Sequence, residues 1–387
     1  MTTRYYFDHA ASAPRRDEVA EAMAPWQHGV VGNPSGTHEP ARRARRAIEE
    51  ARDEVAAFVG ADPGGVIFTA GGTESCELAV VGAALYHRRH HESTSIVVSR
   101  IEHHAILDAA AMLARDVEGV SVRYVDVDGD GVIDLDSLHE AIADDTALVS
   151  VMAANNETGV IEPLGAISSV MLAAARRPIP LHTDAVAAAP WLHLPIVTAT
   201  ADLVSLCAHK LGGPVNAGAL VLRGDVGLDP VQPGGGQERG LRGGTVDVAA
   251  AVGLAAAVRA TARELTATND HVLELQGRLI GALSYLPGAR VTALGAARVA
   301  GTVHVTFEGL ASDELLFLLD EAGVAASAAA SCSSGAGEAS HVLAAMGVSA
   351  ERSRGSLRLS MGGETTAAEV DAVIGIISSV VHRLAAG

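Results

Sequence analysis

From Val66 onward the chain alternates short apolar runs with helical patterns, and this alternation constrains the fold more than any other feature of the sequence. VIFTA, TESCELAVVGAALYHRR, SIVVSR, HHAILDAAAMLARD, VSVRYVDV and DLDSLHEAIA follow one another in turn. The first kind of segment has strand length and β-branched residues, whereas the second repeats its apolar residues at helical spacing. ALVSVMAAN, a helix near Ala166 to Arg177, PLHTDA, DLVSLCAH and AGALVLR extend the rhythm. Apolar strands joined by helices build a mostly parallel sheet that is covered on both faces. The expected fold class is therefore α/β.

Pro40 to Gly60 predicts a helix, with Pro near its first position and Gly at its end. Its RRARR run sets Arg45 and Arg46 one helical turn before Glu49 and Glu50, which predicts a solvated face with intrahelical ion pairs. An Ala-rich helical pattern runs from Thr245 past Glu264 towards Leu286 and is long enough to connect two domains. After it, TVHVTF, SDELLFLLDEAG, VAASAAAS, SLRLSM and TTAAEVDAVIGIISSVVHRLAA form an α+β pattern. The expected division is a large domain over residues 15–263 and a smaller one made of 1–14 and 264–387.

Charge and cysteine usage narrow the function. With 46 acidic against 28 basic residues the formal charge is -18, which repels nucleic-acid phosphates and anionic membranes. Cys76, Cys207 and Cys332 lie far apart with no CxxC pair, so neither a disulfide framework nor a zinc site is expected. Cys76 reads as a small buried apolar residue. The cluster HRRHHE, with His87, His90 and His91, lacks a metal-ligand context and reads as solvated helix-end charge. The first residues show no export pattern and no stretch has the length of a membrane span, so a cytoplasmic location is expected.

The chemistry is concentrated at strand ends. Lys210 in DLVSLCAHKLGGP directly follows a strand, a place suited to a Schiff-base lysine, although such a lysine taken alone is more often a loop residue. Asp184 in LHTDAVA ends another strand and could hold a pyridinium nitrogen, or else cap a helix. Gly71, Gly72, Thr73 and Glu74 open a helix after VIFTA, where backbone N–H groups and the Thr73 hydroxyl could cradle a phosphate. His103 sits at a strand-to-helix junction, where an imidazole could stack on a flat cofactor and relay protons; His104 reads as structural. Asn155, Asn156, Glu157, Thr158 and Gly159 form a further strand end that is either a plain turn or a source of an amide donor. In a doubly wound fold these groups converge in space.

FDHAASAP, FTAGGTES, EHHAILD, ANNETGV, HTDA, AHK, GGGQERGLRGGT, SCSSGAGEASHVLAAMG and SLRLSMG occur in an order and spacing that closely resemble the NifS/IscS-like cysteine desulfurases. These are class V, fold-type I pyridoxal-phosphate enzymes, and the resemblance covers essentially the whole chain. It implies a seven-stranded, mostly parallel sheet flanked by helices, with a smaller α+β domain. It also implies that Lys210 carries pyridoxal 5'-phosphate (PLP), that Asp184 pairs with the pyridine nitrogen, and that His103 stacks on the ring. Asn156 bonds cofactor or substrate, and Gly72, Thr73 and His209 hold the phosphate. Thr245 reaches in from a neighbouring subunit, which implies a homodimer. Arg358 clamps the carboxylate of the L-cysteine substrate. Cys332, in a Ser-, Ala- and Gly-rich stretch, accepts the sulfur as a persulfide and hands it to an acceptor protein of iron–sulfur assembly or thiolation.

Two positions depart from the family pattern. Ala187 stands where Asp-Ala-x-Gln usually supplies a glutamine to the cofactor's phenolic oxygen, and Cys207 stands where many relatives carry a phosphate-binding serine. The first leaves two alternatives open: a selenocysteine lyase or cysteine C–S lyase on the same fold, and a weakly active desulfurase-like scaffold subunit.

Overall fold

The computed structural model describes residues 4–328 and 340–386. Its strands are β1 (Tyr5–Tyr6), β2 (Val66–Thr69), β3 (Thr94–Ser99), β4 (Val120–Val125), β5 (Thr146–Ser150), β6 (Leu181–Asp184), β7 (Leu203–Cys207), β8 (Gly218–Leu222), β9 (Ala289–Val291), β10 (Thr302–Phe307), β11 (Val324–Ala325) and β12 (Ser356–Ser360). The helices are α1 (Asp17–Gln27), α2 (Glu39–Val59), α3 (Gly72–Arg88), α4 (His104–Asp116), α5 (Leu135–Ala141), α6 (Leu164–Ala174), α7 (Leu194–Val197), α8 (Val248–Leu283), α9 (Ser312–Glu321), α10 (His341–Ala345), α11 (Ala350–Ser353) and α12 (Ala367–Ala385).

Seven strands form the main sheet in the order β2-β8-β7-β6-β5-β3-β4. β4, β3, β5, β6 and β7 run parallel, whereas β8 pairs antiparallel with both β7 and β2. Every residue of β2, β3, β5, β6, β7 and β8 is buried, as helices on both faces require, and only the edge strand β4 exposes side chains. The α/β class and the seven-stranded sheet expected above are both present.

Local sequence explains the helices that frame the sheet. In α2 the buried Ala44, Ala47, Ile48, Ala51 and Val55 recur at helical spacing, and Gly60 ends the helix at φ 76°. The expected ion pairs of its RRARR run are replaced by a different contact. Arg45 donates from Nε to the Pro34 carbonyl at 2.8 Å and from Nη2 to the Gly36 carbonyl at 3.0 Å, pinning the preceding loop. His87 also departs from expectation. It is buried, its Nδ1 lies 3.0 Å from Thr94 Oγ1, and burial pushes its ring down to about 4, so it is a neutral core residue.

α8, of 36 residues and so about 54 Å long, links two hydrophobic cores. Its first half buries Val248, Leu254 and Val258 in the core beneath the main sheet. Its second half buries Val272, Leu275, Leu279 and Leu283 in a core shared with β10, β12, α9 and α12. That second core also holds Phe7, and a three-stranded antiparallel sheet, β12-β10-β9, backs it. No helix among the described residues is long and apolar enough to cross a membrane.

Candidate active site

The parallel strands end on one edge of the sheet, and the polar groups that follow them gather there because successive strands lie side by side. β3 leads to Glu102 and His103, β5 to Asn155 and Asn156, β6 ends at Asp184, and β7 runs into His209 and Lys210. Thr69 of β2 and Cys207 of β7 both pair with Gly218, so Gly71, Gly72 and Thr73 reach the same edge. A cavity of about 890 Å³ opens above this edge. Gly72, Thr73, His103, Asn156, Asp184, His209, Lys210 and Arg358 all line it. Thr245 is exposed in the single chain and does not line the cavity. Cys332 lies outside the described residues.

The floor of the cavity is built on buried titratable side chains. Asp184 is buried, its Oδ1 accepts the Val186 N–H at 2.8 Å, and burial raises its carboxyl, opposed by His103, Val186, Cys76 and Lys210. Glu102 lies wholly inside. Its Oε1 accepts the Met152 N–H at 2.6 Å, and burial, then Asp184, pushes its carboxyl far up. Cys76 is buried as its sequence suggested, and burial and Asp184 keep its thiol protonated. The neighbouring His182 links Ser150 Oγ at 2.8 Å and Ser205 Oγ at 2.9 Å across three strands.

Around this floor the remaining groups take defined positions. Lys210, in a short 3₁₀ turn after β7, donates from Nζ to the carbonyls of Ala10 and of Ala11, the latter at 2.7 Å. His103 caps α4, its Nδ1 accepting the Ala105 N–H at 3.1 Å, so a neutral ring carries its proton on Nε2. His209 is pushed down to about 4 by burial and by Lys210, leaving a neutral ring. Arg358, on β12, enters from the second core, its Nη1 bound to the Asn156 carbonyl at 2.9 Å and its Nη2 to Asp8 Oδ1 at 3.0 Å. Asn155 is structural: its Oδ1 accepts the N–H groups of Glu157 and Thr158, both at 2.9 Å.

One side of the cavity is shaped for an anion. Gly71, at φ 150°, precedes α3 without any capping side chain, so the first N–H groups of that helix face no internal acceptor of this kind. A Cβ on Gly218 would fall 2.6 Å from the Gly71 carbonyl carbon, so the loop lies directly on the sheet backbone. A Cβ on Gly72 would come within 2.9 Å of Val186 Cγ2, so only glycine leaves room there.

The model of the class-V aminotransferase family matches residues 5–373. An IscS-like cysteine desulfurase of Mycobacterium tuberculosis is 42% identical, covering 98% of this chain and 96% of its own length. The cysteine desulfurase IscS of Methanosarcina thermophila is 40% identical, with 98% and 92% covered. The chain belongs to the NifS/IscS-like branch of the class-V aminotransferase family. A solved NifS-like protein superposes with a TM-score of 0.90 at 31% identity, covering 98% of this chain and 100% of that one. SspA in complex with cysteine gives 0.80 at 32%, with 94% and 100% covered.

Class-V aminotransferase-family enzymes of this branch depend on PLP, and the cavity fits that cofactor. It offers an uncapped helix start and glycine-lined space for a phosphate, a buried carboxyl for a ring nitrogen, an amine for a carbonyl carbon, and a volume suited to a small organic group. Ala187 lines the cavity with a methyl group, and Cys207, pushed up to about 12 by burial, is a protonated thiol beneath it. Sequence reasoning passed over Asp8, His9 and Glu364, which also line or flank this class-V site; FDHAASAP marked the first two only as part of a resemblance.

Proposed function

We propose that this chain is a PLP-dependent cysteine desulfurase, which converts L-cysteine to L-alanine and takes the sulfur onto Cys332 as a persulfide. The observation that carries this reading is the convergence of the Lys210 amine, the buried Asp184 carboxyl and the Arg358 guanidinium on one cavity. When bound, PLP supplies an electron sink that labilises the bonds around the substrate's α-carbon. Asp184 holds a proton on the pyridine nitrogen, while Gly72, Thr73 and His209 hold the phosphate. Lys210 carries the cofactor and then moves the substrate's α-proton. Arg358 takes the α-carboxylate as a two-pronged donor, and Asn156 adds an amide donor beside it. His103 covers the ring face and shuttles protons at Nε2. The Cys332 thiolate attacks the substrate sulfur, so that an S–S bond forms as the C–S bond breaks and the released carbon gains a proton.

In this reading Thr245 of the partner subunit completes the phosphate cup, and the working unit is a homodimer in a reducing cytoplasm. The persulfide passes to an acceptor protein of iron–sulfur assembly or thiolation. Ala187 favours one second reading, a C–S lyase or selenocysteine lyase, because the cavity wall there lacks the amide donor of the family pattern.

The test is to record the visible spectrum, add L-cysteine with a reductant, and quantify alanine and sulfide for the wild type, Cys332→Ala and Lys210→Ala. Yellow protein yielding equal alanine and sulfide, with Cys332→Ala coloured but unable to form sulfide, is expected. Pyruvate and ammonia released without need of Cys332 would establish the lyase instead. Colourless wild-type protein would mark a scaffold subunit.

A further inference from the structure

We propose that Asp8 is a positioning residue for the substrate's carboxylate, acting through Arg358; this rests on the desulfurase reading above. The Arg358 side chain is only 4% exposed, and a guanidinium so deeply buried requires a counter-charge. Among the described residues Asp8 is the one carboxylate that forms an ion pair with it, at 3.0 Å. The Asn156 carbonyl holds Nη1 and the Asp8 carboxylate holds Nη2, so two acceptors on different terminal nitrogens stop the planar group from turning. Each terminal nitrogen keeps a second N–H, which leaves a fork for an incoming carboxylate.

Asp8 is itself held in place. It bridges Ser360 on β12, the preceding Phe7 is buried in the second core, and the Asp8 carbonyl accepts the Tyr6 hydroxyl at 3.2 Å. The next residue, His9, is bonded through Nδ1 to the Ser360 carbonyl and through Nε2 to Glu364, each at 3.0 Å. His304, opposite Arg358 on β10, is pushed down to about 3 by burial and by Arg358, so it adds no positive charge of its own. Asp8 is therefore the carboxylate in direct contact with the guanidinium, while the buried Glu157 acts on it only through space.

Asp8 has two opposed effects on an incoming carboxylate. Its oxygen orients the fork, which favours binding, and its charge neutralises the fork, which weakens the attraction. Asp8→Asn keeps an acceptor oxygen and removes the charge, whereas Asp8→Ala removes both. A residue with a merely structural role would move the two variants in the same direction.

The measurement is a titration of the PLP-loaded protein with L-alanine, which carries the same carboxylate without sulfur, followed by the absorbance of the bound cofactor. KM and kcat for L-cysteine complete it. Asp8→Ala is expected to weaken L-alanine and to raise KM about ten-fold, the size of one charged hydrogen bond, with kcat and PLP content unchanged. Asp8→Asn is expected to bind L-alanine at least as tightly as the wild type. Equal shifts in both variants, or no shift in either, would overturn the proposal while wild-type activity stands. Wild-type protein that binds no PLP would overturn the desulfurase reading with it.

Discussion

Arg52 on α2 and Glu238 form a two-point ion pair, Nη2 to Oε1 at 2.9 Å and Nη1 to Oε2 at 3.1 Å, beside the strand that leads into Gly71 and Gly72. Glu238 Oε2 also accepts the Phe68 N–H at 2.7 Å, and the Arg52 guanidinium lies 4.9 Å from the Phe68 ring centroid. The segment GGGQERG is thus fastened to β2 just before the loop of Gly71 and Gly72. A second link repeats the device: Glu74 Oε1 accepts from Arg242 Nε at 2.9 Å, while its Oε2 accepts the Ala70 N–H.

Glu238→Ala should therefore destabilise the fold, because it leaves Arg52 buried without its main partner. The Glu238 side chain is 4% exposed, and breaking such a pair costs about 3 kcal/mol or more. Glu49 pairs with the same Arg52 but is 59% exposed, so Glu49→Ala should cost less than about 1 kcal/mol. Urea unfolding of the two variants checks the ranking.

Stability should depend on pH in two opposed ways. Burial pushes the rings of His182 and His304 down to about 3, below the value near 6.5 of an unfolded chain. The unfolded state then binds more protons, so this stability is present above about pH 6.5 and is lost as pH falls towards 3. Glu162 has the reverse sign, since burial raises its carboxyl to about 8 and the folded state keeps a proton that the unfolded state releases. Its cost accumulates as pH rises from about 4.5 to 8. Between pH 5 and 8, Glu162→Gln should make the unfolding midpoint climb more steeply with pH than in the wild type. His182→Gln should make it climb less.

Ala187→Gln should restore an amide donor at the cavity wall. A hydrogen bond to a polar cofactor oxygen is worth about 1 kcal/mol, so PLP should be lost roughly five-fold more slowly on dialysis. Absorbance of the retained cofactor measures it, and an unchanged rate would show that the methyl group is not a deficit.

Thr245 can be tested by complementation. Lys210→Ala and Thr245→Ala homodimers should each be impaired, whereas a mixed dimer should regain one complete site, because the intact Lys210 and the intact Thr245 then meet across the interface. Alanine formation after unfolding and refolding the two variants together reads this out. No regain would place Thr245 in the site of its own subunit or outside it.

Local spacing alone determined the strands of the main sheet, most of the helices that cover it and the strand ends on which Asp184, Lys210 and His103 stand, since period and burial are encoded over a few residues. It also made the length of α8 legible, because an Ala-rich first half is followed by apolar residues at helical spacing, Val272, Leu275, Leu279 and Leu283, with no Pro to stop the helix. What it could not encode is who meets whom across the chain. Asp8 reaches Arg358 only because β12 bridges the N-terminal segment, and Glu238 reaches Arg52 only because its loop folds back on β2. His87 read as solvated charge, yet β3 brings Thr94 against it and buries it. The RRARR run read as ion pairs, yet the loop before α2 offered Arg45 carbonyl oxygens instead. A residue's type and its position in a helix or strand are local properties, but its partner is set by the order of strands in the sheet, and only the tertiary structure decided that.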